Sequence, residues 1–232
     1  MIGDDGWAMP RDATRQRILD TAERHFGLYG FAGTSLRGIT RDARVNVAAI
    51  HYHYGSKEQL LGATMDRIVA PVNAERLRLL DEAIAAAGGA PSVEAILSAF
   101  LCPDLILIRD LGDRGVMMAR FSGRSSTEPG EVVARVLRGI FGDLGDRFID
   151  ALAVAVPDVP RSELAWRLRC VVAIITYLLA NTGTGLALLD LDDVDGTAER
   201  LVAFLAPAIR SPVPAAGSMA DVALAMAGGA GS

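Results

Sequence analysis

From Arg11 onward, apolar residues recur at helical rather than alternating spacing. In residues 11–29, Ile18, Ala22, Phe26 and Tyr29 share one face with arginines between them. That pattern predicts a first helix, ended by Gly30. Thr34 and Ser35 are cap residues, and Leu36, Ile39 and Ala43 share a face, so a short second helix is predicted over 35–43. Arg44, Val45 and Asn46 form a three-residue connection. Asn46 then caps a third short helix that reaches Tyr52 or His53 before Gly55 breaks it. Ser56-Lys57-Glu58-Gln59 reads as a capping box. It opens a long helix to about residue 87, in which Pro71 is expected to cause a kink or a break.

Gly88-Gly89-Ala90-Pro91 interrupts the pattern, and further helices are predicted at about 92–110, 112–121, 129–156, 160–186 and 196–209. Residues 122–130 read as a loop, and the Ala, Gly, Pro and Ser run over 211–232 as a flexible tail with a weak helical turn near 219–226. No alternation is long enough for a strand. The expected fold class is all-α: an N-terminal three-helix helix-turn-helix domain at 11–57 and a larger C-terminal helical domain at 58–210. A disordered arm at 1–10 precedes them.

Composition narrows the function. The chain has 232 residues, of which 51% are hydrophobic and only 6% aromatic, a palette suited to helices. A net charge of −5 excludes a wholly basic protein that coats nucleic acid. Residues 11–60 nevertheless carry eight basic groups against five acids, so a basic head sits on an acidic body, and the head is the part suited to a polyanion. Two cysteines exclude a disulfide scaffold and a zinc finger. The start MIGDDGWAMP is short and acidic, unlike a signal peptide. The longest apolar run, 170–180, falls short of the roughly 18 residues that span a bilayer. A soluble, cytoplasmic protein with no membrane partner is expected.

Two short helices joined by a tight turn behind a third describe a helix-turn-helix. In that geometry Val45, Ile50 and Tyr54 face inward, and Val47, Ala48 and Ala49 are small enough to approach base edges. The run from Thr34-Ser35-Leu36-Arg37-Gly38-Ile39 through Ala43-Arg44-Val45-Asn46-Val47-Ala48-Ala49-Ile50-His51-Tyr52-His53-Tyr54-Gly55-Ser56-Lys57-Glu58-Gln59-Leu60 resembles the DNA-binding domain of TetR-type transcriptional regulators. Ile18, Leu19, Ala22, Phe26, Gly30 and Phe31 match the first helix of that family. Three positions depart from it: Arg44 stands where the family usually has Gly, His51 where it often has Tyr or Asn, and His25 where it usually has Leu. A positive φ is unfavourable for Arg, so the turn at Arg44 is expected to differ slightly.

The resemblance implies a homodimeric repressor that binds a palindromic double-stranded DNA operator and is released by a small apolar effector.

 Carried over by position, Arg37 corresponds to a base-reading residue, since arginine pairs with guanine bidentately. Val47, Ala48 and Ala49 correspond to the base-facing start of the recognition helix. Thr34, Ser35, Asn46, His51, Tyr52, His53 and Lys57, the chain's only lysine, correspond to phosphate contacts, and Arg44 can place a guanidinium near phosphate. Residues 71–77 and 160–168 resemble a branch of the family that responds to fatty acids or acyl-CoA.

Beyond the head, Leu164, Leu168, Val171, Ile175 and Leu179 form one stripe, and with Leu201 and Leu205 they are expected to pack against their copies in a four-helix dimer interface. Leu105, Ile108, Met117, Met118 and Phe121 are the expected lining of an effector pocket, and Arg109, Arg114 or Arg120 is expected to neutralise a carboxylate or phosphate there. Gly139, Gly142 and Gly145 thin one side of their helix and admit either an acyl chain or a neighbouring helix. His51 and His53 point in different directions on a helix, so no metal pair is expected. No nucleophile–base set stands out either, and neither a cofactor nor an enzyme activity is expected. The alternative reading is a helical protein that binds a small molecule without binding an operator.

Overall fold

The computed structural model describes residues 11–127, 130–185 and 188–213. Among these residues there are nine helices and no strand. The head comprises α1 (Arg11–Gly33), α2 (Leu36–Ala43) and α3 (Val47–Tyr54). A long α4 (Lys57–Ala86) leads out of it into α5 (Val93–Leu111), α6 (Asp113–Thr127), α7 (Glu131–Ala155), α8 (Arg161–Ala180) and α9 (Val194–Arg210). The all-helical class, with a helix-turn-helix ahead of a larger helical body, is as expected. The arm at 1–10 and the tail beyond residue 213 lie outside the described residues.

Side-chain caps set the head's short helices. Ser35 Oγ accepts from the Gly38 amide at 3.0 Å, Asn46 Oδ1 from Ala49 at 2.8 Å, and Ser56 Oγ from Gln59 at 3.1 Å. Each such cap contributes about 1 kcal/mol. Gly30 (φ 69°, ψ −178°) breaks the helical path near the end of α1 and turns the chain toward Thr34. Between α2 and α3, Arg44 keeps the left-handed turn (φ 54°, ψ 48°), closed by Arg44 N to Arg41 O at 3.2 Å and Val45 N to Thr40 O at 3.0 Å. Arg44 thus adopts the left-handed conformation despite its Cβ.

The head is not a separate core. Ile18, Ala22, Phe26, Ile39 and Ile50 are fully buried in a cluster that continues through Leu60, Met65, Ile68 and Val69 of α4 and Met118 and Phe121 of α6. Phe26 and Phe121 stack with centroids 6.4 Å apart. Polar ties reinforce this joint. Arg67 of α4 meets Asp20 at 2.7 Å and the buried Glu23 of α1, and Arg124 of α6 donates to the Leu28 carbonyl at 2.8 Å.

The body departs from the sequence expectations at three places. The stretch 122–127, expected as loop, is the last part of α6. Its small residues serve packing: a Cβ on Gly123 would lie 2.5 Å from the Ala180 amide nitrogen, so only glycine lets α6 and α8 come this close. Pro71 does not break α4, which runs through it. Pro71 is exposed, while Ile68, Val69 and Val72 around it are buried and hold the helix on its apolar face. α8 also stops at Ala180 rather than near 186. Arg167, 5% exposed, donates to the Ile209 and Ser211 carbonyls at 2.7 Å each and so ties the start of α8 to the end of α9.

The strained turn yields a stability prediction. Arg44→Gly removes a left-handed penalty of about 1–2 kcal/mol and adds freedom to the unfolded chain, for a net gain of about 0.5–1 kcal/mol. Urea unfolding of the two proteins measures it; a lower midpoint in the variant would mean that the Arg44 side chain contributes more than its backbone costs.

Candidate nucleic-acid interface and ligand cavity

Ile50 and Tyr54 anchor α3 from inside, and the Tyr54 hydroxyl donates to the Arg15 carbonyl of α1 at 2.9 Å. The opposite side of α3 is open: Val47 is 38% exposed and Tyr52 69%, and Ala48 and His51 are exposed with them. Ala49, His53 and Lys57 are half-buried. The His51 ring lies 2.8 Å from the Gly55 carbonyl, Tyr52 and His53 meet edge to face, and Lys57 Nζ stands 4.4 Å above the Phe31 ring. Ser35, Arg37, Arg44 and Asn46 are exposed. Ser35 and Asn46 cap through oxygen, which leaves the Ser35 hydroxyl proton and the Asn46 amide protons free to donate. The Arg37 guanidinium has no partner among the described residues.

Thr34 does not belong with this set. It is 3% exposed, and its hydroxyl is taken up by the Gly30 carbonyl at 2.7 Å and the His25 carbonyl at 3.0 Å. Its work is to fix the chain between α1 and α2. His25 is a tie the sequence did not reveal: its Nε2 lies 2.8 Å from Asp42 Oδ2 and joins α1 to α2. The carboxyl of Asp42 is held below the usual range by the Arg41 guanidinium and by His25.

A cavity of about 680 Å³ lies in the body, bounded by α4, α5, α6, α7 and α8. Sites for small molecules commonly fall between roughly 300 and 1,000 Å³. Its lining is mostly apolar and includes Val72, Phe100, Leu137, Phe141 and Leu168. Gly142 and Gly145 thin its α7 wall, and an added Cβ at either would meet nothing within 4 Å. The exposed Arg138, Asp146 and Arg169 mark where it reaches the surface between α7 and α8. Ile68, Val69 and Met118 line the cavity and also belong to the cluster that forms the head's core.

One ion pair stands in this apolar wall. Arg76, 4% exposed, contacts Asp104, donates to the Phe100 carbonyl at 2.8 Å and to Asn73 Oδ1 at 3.0 Å, and lies over the Phe100 ring. Burial pushes the Asp104 carboxyl up, against the pull of Arg76. Protonating Asp104 would leave a buried guanidinium without its counter-ion, a costly state. The sequence carried a hint in Asp104, a lone acid in the apolar stretch 99–108.

Of the expected pocket residues, Ile108 and Met118 line the cavity. Leu105 and Phe121 do not; both are fully buried in packed clusters. Met117 lies outside the lining, and Arg109 is an exposed residue paired with Asp110 at 2.9 Å. The expected dimer stripe needs the same correction. Leu164, Leu168, Val171, Ile175, Leu179 and Leu205 are each at most 6% exposed within one chain, so these six offer no free face to a copy, while Leu201 packs against the same core and is half-buried. The exposed apolar side chains of these two helices are Trp166 (56%), Val172 (40%), Tyr177 (53%) and Phe204 (71%). Among the described residues no helix is long and apolar enough to cross a membrane.

Comparison with known proteins gives this geometry its context. Residues 18–64 match the family described as "Bacterial regulatory proteins, tetR family", and residues 98–208 match "Tetracyclin repressor-like, C-terminal domain". The HTH-type transcriptional repressor NicS of Pseudomonas putida is 35% identical over 72 residues, which are 31% of this chain and 34% of that protein. The HTH-type transcriptional regulator BetI of Rhizobium meliloti is 33% identical over 87 residues, 38% and 39% of the two chains. The matches thus span little more than a third of these relatives. A putative transcriptional regulator from Pseudomonas aeruginosa PAO1 has the same fold, with a TM-score of 0.58 at 20% identity over 88% of this chain and 95% of its own. SCO4454, a TetR-family regulator from Streptomyces coelicolor, gives 0.56 at 20% identity over 86% and 97%. With the helix-turn-helix and the body each matched by its own domain family, the chain belongs to the TetR family of transcriptional regulators.

Proposed function

We propose that this protein binds a palindromic DNA operator as a homodimer and releases it when a small apolar molecule fills the cavity of the body. The observation that carries the reading is the wall shared by cavity and head: Ile68, Val69 and Met118 touch both, so a ligand that displaces them alters how the head is held. α3 would enter the major groove with Val47, Ala48 and Ala49 against the bases. Arg37 would read guanine, and Ser35, Arg44, Asn46, His51, Tyr52, His53 and Lys57 would meet phosphates. The dimer would form through the exposed apolar face of α8 and α9 around Trp166, Tyr177 and Phe204. The thin, apolar α7 wall at Gly142 and Gly145 suits an apolar chain such as that of an acyl ligand.

In vitro selection from random duplexes, followed by fluorescence anisotropy, tests the DNA-binding reading; no enriched palindrome would overturn it. Arg37→Ala is expected to cost about 1–3 kcal/mol on the selected operator and to relax one guanine preference per half-site. An equal loss on random DNA would place Arg37 on phosphate instead.

The dimer face is tested by Phe204→Glu, which puts a charge where the partner's apolar surface would lie. Sedimentation is expected to shift toward the monomer, with operator affinity falling alongside; an unchanged dimer would exclude Phe204 from the contact.

Gly145→Trp probes the cavity, because the indole would occupy open space. Nile red is expected to bind the wild-type protein and not the variant, whose operator affinity is expected to fall because the indole fills the same space as the effector. Equal dye binding by both would mean that this cavity is not the ligand site.

A further inference from the structure

The Arg76–Asp104 pair defines the polar chemistry at the closed side of the cavity. The Arg76 guanidinium is almost wholly buried and already matched by Asp104, by Asn73 and by the Phe100 carbonyl. Asp104 uses Oδ2 for Arg76, and no described residue donates to its Oδ1. The side chain keeps 16% exposure and lines the cavity. Oδ1 thus offers an accessible acceptor on a mostly apolar cavity, where a hydrogen bond to a charged group is strengthened.

We infer that the effector carries a hydrogen-bond donor, an alcohol or an ammonium group, on the end that reaches Asp104, and that a free carboxylate is disfavoured there. A donor completes the valence of the carboxylate in a low-dielectric site. A carboxylate would meet a like charge, with the one cation beside it already neutralised. The other cations that line the cavity, Arg138 and Arg169, lie at its exposed side. Arg138 is paired with Glu131 at 2.6 Å. An apolar chain in the body of the cavity with its donor tip at Asp104 satisfies both the lining and the acceptor. This inference rests on the cavity being the effector site, as proposed above.

The test is calorimetric titration of the full chain with decan-1-ol, decylammonium and decanoate below their aggregation limits. A hydrogen bond to a charged acceptor predicts that the alcohol and the ammonium bind about tenfold or more tighter than decanoate. Asp104→Asn frees the charge of Arg76, so the order of decylammonium and decanoate is expected to reverse. Decanoate binding as tightly as the alcohol in the wild-type protein overturns the inference and leaves the cavity as the site, as does an unchanged order in a folded Asp104→Asn. The wild-type ranking decides alone if that variant does not fold. No binding by any of the three probes overturns the cavity reading itself.

Discussion

The layer made by Ile68, Val69 and Met118 is the constraint on which the rest depends, because the same side chains close the head's core on one side and the cavity on the other. A head of one longer and two short helices has too little apolar surface to be stable alone. It is completed by α4 and α6, whose Leu60, Met65 and Phe121 are fully buried in the same cluster. The body therefore cannot rearrange around the cavity without reaching the head. The polar ties Arg67–Asp20 and Arg124–Leu28 lie on those two helices and give the joint a fixed orientation that apolar contact alone would not.

The position of α6 is set by absences of side chain. At Gly123 the backbone of α8 comes so near that any Cβ would overlap Ala180, and at Gly115 the Ile108 carbonyl oxygen would lie 2.3 Å from one. These approaches pin α6 at both ends against α8 and α5, while Met118 and Ala119 between them face the cavity. By contrast, Gly142 and Gly145 on α7 have open space beside them. The same residue type thus draws helices together on one side of the cavity and leaves room on the other.

This difference explains what was legible in the sequence. The head was, because its caps, its Gly30 break and its inward residues Ile39 and Ile50 are local signals that the structure uses as read. Thr34 misled, since a hydroxyl at a helix start reads equally as a phosphate contact or as a buried tie. Residues 122–127 misled because small polar residues carry the chemistry of a loop, and only the neighbouring α8 turns them into a packing surface. The α8 stripe was correctly seen as apolar and wrongly assigned to a partner: periodicity gives the buried face, not which chain buries it. The cavity was least legible. Its wall takes a few residues from each of five helices, and neither Arg76 nor Asp104 is exceptional until the fold brings them together.

Magnitudes limit how such a cavity can work. Moving a two-state equilibrium from 1:99 to 99:1 takes about 5.5 kcal/mol of differential ligand affinity. Burying one methylene is worth about 0.8 kcal/mol, so roughly seven methylenes held in one state and excluded from the other would suffice. Tight binding alone would not be enough, because a ligand that both states accept equally shifts nothing. On the proposed reading, the open space would have to shrink or lose its lining in the DNA-binding state. The side chains able to cause that change are those on the shared wall, since they belong to the cavity and to the head at once. The ionic pair at the far wall has the complementary part. Arg76 and Asp104 bind α4 to α5 through a contact that an apolar chain cannot replace, so on the proposed reading a ligand would deform the wall on the head's side rather than push these helices apart.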